Sequence, residues 1–301
     1  MNNTKKCAKP LVFTGAAVAI VTPFGEDGNI DYKAYDNLVE FQIANHTDAV
    51  VVCGTTGESA TLTEKEHSEL ISHTVKLVNK RIPVIAGTGS NNTAHAVELS
   101  KDAAAAGADA LLCVTPYYNK ATQKGLVKHF TEIAKSVDIP VILYNVPSRT
   151  GCNIAVDTYK ELAKVENIVA AKEASGNLSQ VAQIADECDL HIYSGNDDQI
   201  TPIMSLGGKG VISVLSNVAP QAAHDIADLY LKGKTEESKR LQLEYLELIN
   251  RLFIEVNPIP VKTALALMNM CKANMRLPLC EMEDKNFEKL KKTLVKYGLV
   301  K

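Results

Sequence analysis

Lys172 closes the apolar run Ile168-Val169-Ala170-Ala171-Lys172-Glu173. In a strand, period-two alternation puts Ile168, Ala170 and Lys172 on one face. An ammonium on an apolar face is desolvated, which disfavours its charged form and lowers its pKa. A neutral amine of that kind attacks carbonyl carbon and can form a Schiff base with an α-keto acid. Lys172 also has a plainer reading, as a lysine that reaches the end of its strand or pairs with Glu173.

The neighbouring apolar run tips the balance toward chemistry. It ends Tyr144-Asn145-Val146-Pro147-Ser148-Arg149-Thr150-Gly151. A phenol beside an amine can relay protons during imine formation. A guanidinium in the loop that follows can hold a substrate carboxylate through two hydrogen bonds. Singly, Tyr144 could cap a core and Arg149 could be solvated; next to a strand lysine they favour imine chemistry. Two more segments carry polar groups at run ends. Gly54-Thr55-Thr56-Gly57-Glu58-Ser59 brackets paired hydroxyls with glycines, suited to a carboxylate or to a plain turn. Thr115-Pro116-Tyr117-Tyr118-Asn119-Lys120 sets two tyrosines in a loop, where packing or an interface would use at least one.

Other motifs fail on position. Gly87-Thr88-Gly89 lacks the third glycine of a dinucleotide fingerprint, Asn92 standing in its place. Gly207-Gly208-Lys209-Gly210 precedes a strand rather than following one, and Leu215-Ser216-Asn217-Val218 after that strand has no glycine for a phosphate. The seven histidines are dispersed without zinc-site spacing. Asp197-Asp198 could be an acid pair, although helix N-capping suits it better. No cofactor is called for.

These residues need a scaffold that brings run ends together, and the chain supplies one. Short apolar runs at Gly15–Val21, Ala49–Cys53, Pro83–Ala86, Ala110–Val114, Pro140–Tyr144, Ile168–Lys172, His191–Ser194 and Gly210–Val214 read as strands. Amphipathic stretches lie between them. Thr63 with Glu66 forms a capping box, and Asn92 opens Thr93–Ala106 with Gly107 placed to end it. Gly125–Ser136, Asp157–Lys164 and Leu178–Glu187 repeat the plan. Near-continuous apolar strands suit a parallel sheet covered on both faces. Eight such units predict an α/β fold, a (β/α)8 TIM barrel over residues 1–218, whose chemistry sits at the C-terminal ends of its strands. Residues 219–301 would supply the last barrel helix and an appended C-terminal helical region, with helices at Glu236–Ile254, Val261–Met270 and Asn286–Lys296.

Composition excludes several function classes. Thirty-two Lys and Arg face 35 Asp and Glu, for a net charge of -3, so no basic surface for nucleic acid is expected. No run approaches the roughly 18 apolar residues of a membrane span. Seven scattered cysteines without a CxxC pair suit reduced thiols in the cytoplasm. Lys5 and Lys6 before Leu11–Val21 resemble a weak signal peptide, but Thr14, Gly15 and the ending Thr22-Pro23-Phe24 suit a strand and turn better.

The motifs Gly54-Thr55-Thr56-Gly57-Glu58-Ser59, Thr115-Pro116-Tyr117-Tyr118-Asn119, Tyr144 to Gly151 and Lys172-Glu173-Ala174, in this order and spacing, resemble the dihydrodipicolinate synthase family. The likeness runs from about Gly15 to Asn217, with a similar C-terminal helical region. It implies a class I aldolase-type condensation: pyruvate forms a Schiff base with Lys172 and attacks L-aspartate-4-semialdehyde, on the diaminopimelate route to lysine. It further implies a hydroxyl relay of Thr55, Tyr118 and Tyr144, with Tyr118 reaching in from a neighbouring subunit of a homotetramer. Arg149 would hold the semialdehyde carboxylate, and Thr56, Gly195 and Ile212 would line the pyruvate site. Many such enzymes bind lysine as a feedback inhibitor. Ser59, Ala60, His67, Asn91 and Tyr117 match that pattern, but Glu64 and His95 stand where a His and a Glu are usual, so weak inhibition is expected. The rivals are another pyruvate aldolase, such as N-acetylneuraminate lyase, and a catalytically dead barrel used for binding.

Overall fold

The computed structural model describes residues 7–301; Lys5 and Lys6 lie outside the described residues. Eight parallel strands close a barrel in chain order: β1 (Gly15–Ala19), β2 (Ala49–Val52), β3 (Val84–Gly87), β4 (Ala110–Val114), β5 (Val141–Asn145), β6 (Ile168–Glu173), β7 (His191–Ser194) and β8 (Gly210–Ser213). β8 pairs back onto β1, Gly15 opposite Gly210. All eight expected strands are present, with ends shifted by no more than two residues.

The helices are α1 (Tyr32–Ala44), α2 (Glu64–Val78), α3 (Thr93–Ala105), α4 (Gln123–Lys135), the single turn α5 (Pro147–Thr150), α6 (Val156–Leu162), α7 (Leu178–Glu187), α8 (Ile200–Ser205) and α9 (Pro220–Leu231). Beyond them come α10 (Thr235–Glu244), α11 (Leu246–Arg251), α12 (Ile259–Leu267) and α13 (Asp284–Lys296). Local chemistry sets several of these ends. Thr63 Oγ1 accepts from Glu66 N, and Glu66 reaches back to Thr63 N, a reciprocal cap on α2 worth about 1 kcal/mol. Asn92 caps α3, and Gly107 just beyond it takes φ +93, which favours glycine.

One helix was expected over Glu236–Ile254, and two are found. The Tyr297 hydroxyl donates to the Glu244 carbonyl at 2.6 Å, and the Tyr245 and Tyr297 rings pack 5.3 Å apart. A side chain of α13's C-cap thus takes a carbonyl at the junction of α10 and α11.

Two apolar layers form the core. The outer one lies between strands and helices and includes Val50, Leu111, Leu143 and Ala171. The inner one fills the barrel with Ala17, Val51, Leu112, Ile142, Ala170 and Ile212. Phe13, just before β1, stacks on Tyr193 with ring centroids 4.3 Å apart. The face assignment of β6 needs a correction. A β-bulge pairs Val141 with Ile168 but Ile142 with Ala170, so Val169 is the extra residue. Ile168 therefore packs in the outer layer, whereas Val169 and Ala170 are interior. Lys172 shares the inward face with Ala170, and not with Ile168.

Candidate active site

At the C-terminal ends of the strands the interior opens into a cavity of about 260 Å³. Lys172, Tyr144, Thr55, Thr56, Arg149 and Gly195 all line it. Barrel register produces this convergence. Tyr144 pairs with Lys172 across β5 and β6, and Lys172 Nζ lies over the Tyr144 ring, 4.2 Å from its centre. Lys172 is 6% exposed. Burial lowers its pKa to about 7, partly opposed by the Asp197 carboxylate and reinforced by the Arg149 guanidinium. Roughly half of the amine is then neutral at pH 7. Burial pushes the Tyr144 phenol up, opposed by the positive charge of Arg149 and by a hydrogen bond from Thr55.

Gly195 explains how the wall can approach so closely. A Cβ there would stand 2.7 Å from Ala174 Cβ and 3.0 Å from Lys172 Cε. Only a glycine leaves the lysine's terminal carbons their space.

Two of the expected residues lie off this wall. Ile212 is packed inside the barrel, and its successor but one, Val214, lines the cavity instead. Tyr118 is 90% exposed, with φ +73. Its neighbour Tyr117 faces a second cavity of about 460 Å³, shared with Ser59, Ala60, His67 and His95. Beside it, the Asn91 amide donates to the Tyr117 carbonyl, and Glu64 stands 3.6 Å from His95.

The C-terminal region contributes to the site, which the sequence patterns did not reveal. Asn257 lines the cavity; its Nδ2 donates to Thr56 Oγ1 at 3.0 Å, and its carbonyl accepts from Arg149 Nη2 at 3.2 Å. Five residues on, fully buried Lys262 donates to Glu58 Oε1 at 2.6 Å and to the Thr22 carbonyl at 2.9 Å, with its ammonium 4.3 Å from the Phe24 ring centre. Glu58 Oε2 accepts from Arg276 N, and the Arg276 guanidinium pairs with Glu66. The segment from Asn257 to Arg276 is thereby bolted to the loop carrying Thr55 and Thr56.

The sequence suggests that Asp197 is half of an acid pair or, better, a helix N-cap. It is neither. Asn196 precedes the short turn at Asp197–Gln199, and Asp198 is exposed. The buried Asp197 Oδ2 accepts instead from Val214 N at 3.0 Å and Leu215 N at 2.9 Å, bridging the ends of β7 and β8. Glu173 behaves similarly on the outer side: it accepts from Tyr159, Asn145 and Ser175, and so does not pair with Lys172.

The model of the dihydrodipicolinate synthetase family matches residues 12–297. The chain belongs to this family. A 4-hydroxy-tetrahydrodipicolinate synthase of Lachnoclostridium phytofermentans is 59% identical over 292 residues, covering 96% of this chain and 99% of the relative. One from Acetivibrio thermocellus is 56% identical over 291 residues, 96% and 99% of the two chains. Among solved structures, dihydrodipicolinate synthase from Aquifex aeolicus superposes with a TM-score of 0.94 at 48% identity, covering 95% of this chain and 99% of that one. The enzyme from Thermotoga maritima gives 0.94 at 40% identity, covering 96% and 100%. As a member of the dihydrodipicolinate synthetase family, the chain is a lyase on a TIM barrel. No helix among the described residues is long and apolar enough to cross a membrane.

Proposed function

We propose that this chain condenses pyruvate with L-aspartate-4-semialdehyde to 4-hydroxy-tetrahydrodipicolinate, through a Schiff base on Lys172. The observation that carries the reading is the desolvated amine of Lys172, with its pKa brought down to about 7 beside the Tyr144 phenol. The neutral amine adds to the keto carbon of pyruvate; the carbinolamine loses water to give an iminium. Tyr144 and Thr55, which are hydrogen-bonded, carry protons to and from the leaving oxygen. Thr56 and the glycine-flanked backbone around it receive the pyruvate carboxylate, with Gly195 opposite; Ile212 supports this pocket from below. Loss of a methyl proton to the Tyr144–Thr55 relay turns the iminium into an enamine, which attacks the semialdehyde's aldehyde carbon, the new alkoxide taking a proton from the relay. The semialdehyde's amino group then adds to the regenerated iminium carbon and expels Lys172 as free amine, closing the ring. Arg149, braced by Asn257, holds the semialdehyde carboxylate.

Tyr118 completes the relay in a neighbouring subunit of a cytoplasmic homotetramer. Its exposure and left-handed backbone support this, because a large aromatic held outward in that conformation suits insertion into a partner. Sedimentation showing fully active monomers would remove this part of the reading. Arg149 with its Asn257 brace favours an acceptor bearing a carboxylate close to its aldehyde, and hence the synthase over N-acetylneuraminate lyase.

The decisive experiment is borohydride reduction with pyruvate, followed by peptide mapping. We expect an adduct on Lys172, formed at a rate that falls about tenfold per pH unit well below pH 7 as the amine is protonated. Absence of any adduct at Lys172 would end the Schiff-base reading.

A further inference from the structure

Asp197 is 2% exposed, and one of its two oxygens is unexplained by the fold. Oδ2 is held by the backbone N–H groups of Val214 and Leu215. Oδ1 is sealed from solvent and accepts no well-aligned hydrogen bond, although the nearby Ser213 hydroxyl also favours the charged carboxylate. A buried carboxylate oxygen left without a donor is costly unless a nearby charge compensates it. Strand register brings the chain beyond β7 to the end of β6 that carries Lys172. Glu173 and Ser194 pair across β6 and β7, and Gly195 N donates to the Glu173 carbonyl at 2.7 Å. The chain leaving β7 is thereby drawn over Lys172, and Asp197 follows two residues later. Asn196 and Val214, the neighbours of Asp197 in sequence and across its hydrogen bond, both line the cavity that Lys172 enters.

The other groups around the lysine cannot serve as its counter-charge. Tyr144 from β5 is kept a neutral phenol by burial, and Cys53 at the end of β2 is kept a thiol for the same reason. Arg149 from α5 is a cation and acts against the ammonium. Glu173 faces outward into its own hydrogen-bond cluster. Asp197 is the carboxylate that acts on Lys172, and the two groups each favour the charged form of the other.

We propose that Asp197 is a positioning residue for the reaction: a carboxylate fixed by the backbone just beyond β8, it is the counter-charge that keeps the Lys172 nitrogen protonated as an iminium. This rests on the Schiff-base reading above. In that reading the ammonium and keto group become an iminium and one water, so one positive charge is present before and after. Desolvation alone would strip the proton from both cations. An iminium that loses its proton becomes a neutral imine, which withdraws electrons poorly and no longer acidifies the pyruvate methyl group. Burial of Lys172 thus supplies the nucleophile, and Asp197 keeps burial from neutralising the intermediate.

The test uses full-length wild-type protein and Asp197→Asn, comparing the pH dependence of pyruvate-dependent cyanoborohydride trapping on Lys172. The asparagine oxygen can still accept from Val214 and Leu215. Without the charge, the acid limb and the alkaline limb of trapping should both move to lower pH, by about one unit. Trapping at pH 9 should fall several-fold. Wild-type protein that traps nothing defeats the Schiff-base reading itself. Wild-type trapping with both limbs unmoved in Asp197→Asn leaves that reading intact and overturns the role of Asp197. If Asp197→Asn does not fold, the coupling is measured from the other side, by carbon-13 NMR of the Asp197 carboxyl in wild type and Lys172→Met. Loss of the ammonium should raise its titration midpoint; an unchanged midpoint overturns the proposal.

Discussion

Replacing Lys262 by Met should damage this protein more than any comparable change at its surface. The Lys262 and Glu58 side chains are 0% and 1% exposed, and their ion pair is 2.6 Å long. Lys262 also satisfies the Thr22 carbonyl. Met fills much of the same volume, so the packing against Phe24 is largely kept. What is lost is the charge that compensates Glu58, whose remaining partner is Arg276 N. Breaking a buried ion pair from one side costs about 3–5 kcal/mol, because the other charge stays behind uncompensated. For a chain of this size, that corresponds to a fall of about 5–8 °C in Tm. The double variant Lys262→Met with Glu58→Gln should recover a large part of the loss, since no bare charge is then buried. The measurement is Tm by circular dichroism at fixed protein concentration, which keeps any assembly equilibrium constant. A Lys262→Met protein within 1 °C of wild type, or a double variant less stable than the single, would refute this account of the bolt. Because Asn257 rides on the same segment, Lys262→Met should also raise the KM for the semialdehyde more than that for pyruvate.

Arg149→Ala should raise the KM for the semialdehyde by about 10- to 100-fold, while pyruvate trapping on Lys172 survives. Its acid limb should move to higher pH, because the guanidinium now helps to lower the Lys172 pKa; equal effects on both substrates in steady-state kinetics would remove the assigned role. Feedback by lysine should be weak, because Glu64 and His95 face one another at 3.6 Å and His95 offers no carboxylate to an incoming ammonium. Half-inhibition at physiological lysine concentrations would contradict this.

How much of this was legible beforehand depended on the distance over which each feature is encoded. The eight strands were legible because a strand buried on both faces must be apolar along its whole length. Lys172, Tyr144 and Arg149 were legible because each sits at or just after the end of such a run. The bulge at Val169 was not, since an extra apolar residue in an apolar run leaves no trace in the pattern. Asn257 acts on Thr56 across 201 residues, and its local context, Val256-Asn257-Pro258, reads as an ordinary turn. Asp197 looked like a cap because acidic residues before a helical pattern usually are. Its real partners are backbone groups just beyond the next strand, which carry no residue-type signal at all. Tyr297, whose hydroxyl meets the Glu244 carbonyl where α10 gives way to α11, lies far along the chain.

The long reach of the Asn257–Arg276 bolt has a consequence for the order in which the protein becomes competent. Residues 15 to 213, which carry all eight strands with Lys172 and Tyr144, are synthesised before Asn257. At that moment the nascent chain has its nucleophile but lacks the brace on its carboxylate clamp. The ability to capture a keto acid should therefore arise earlier in synthesis than the ability to select the partner with which it reacts.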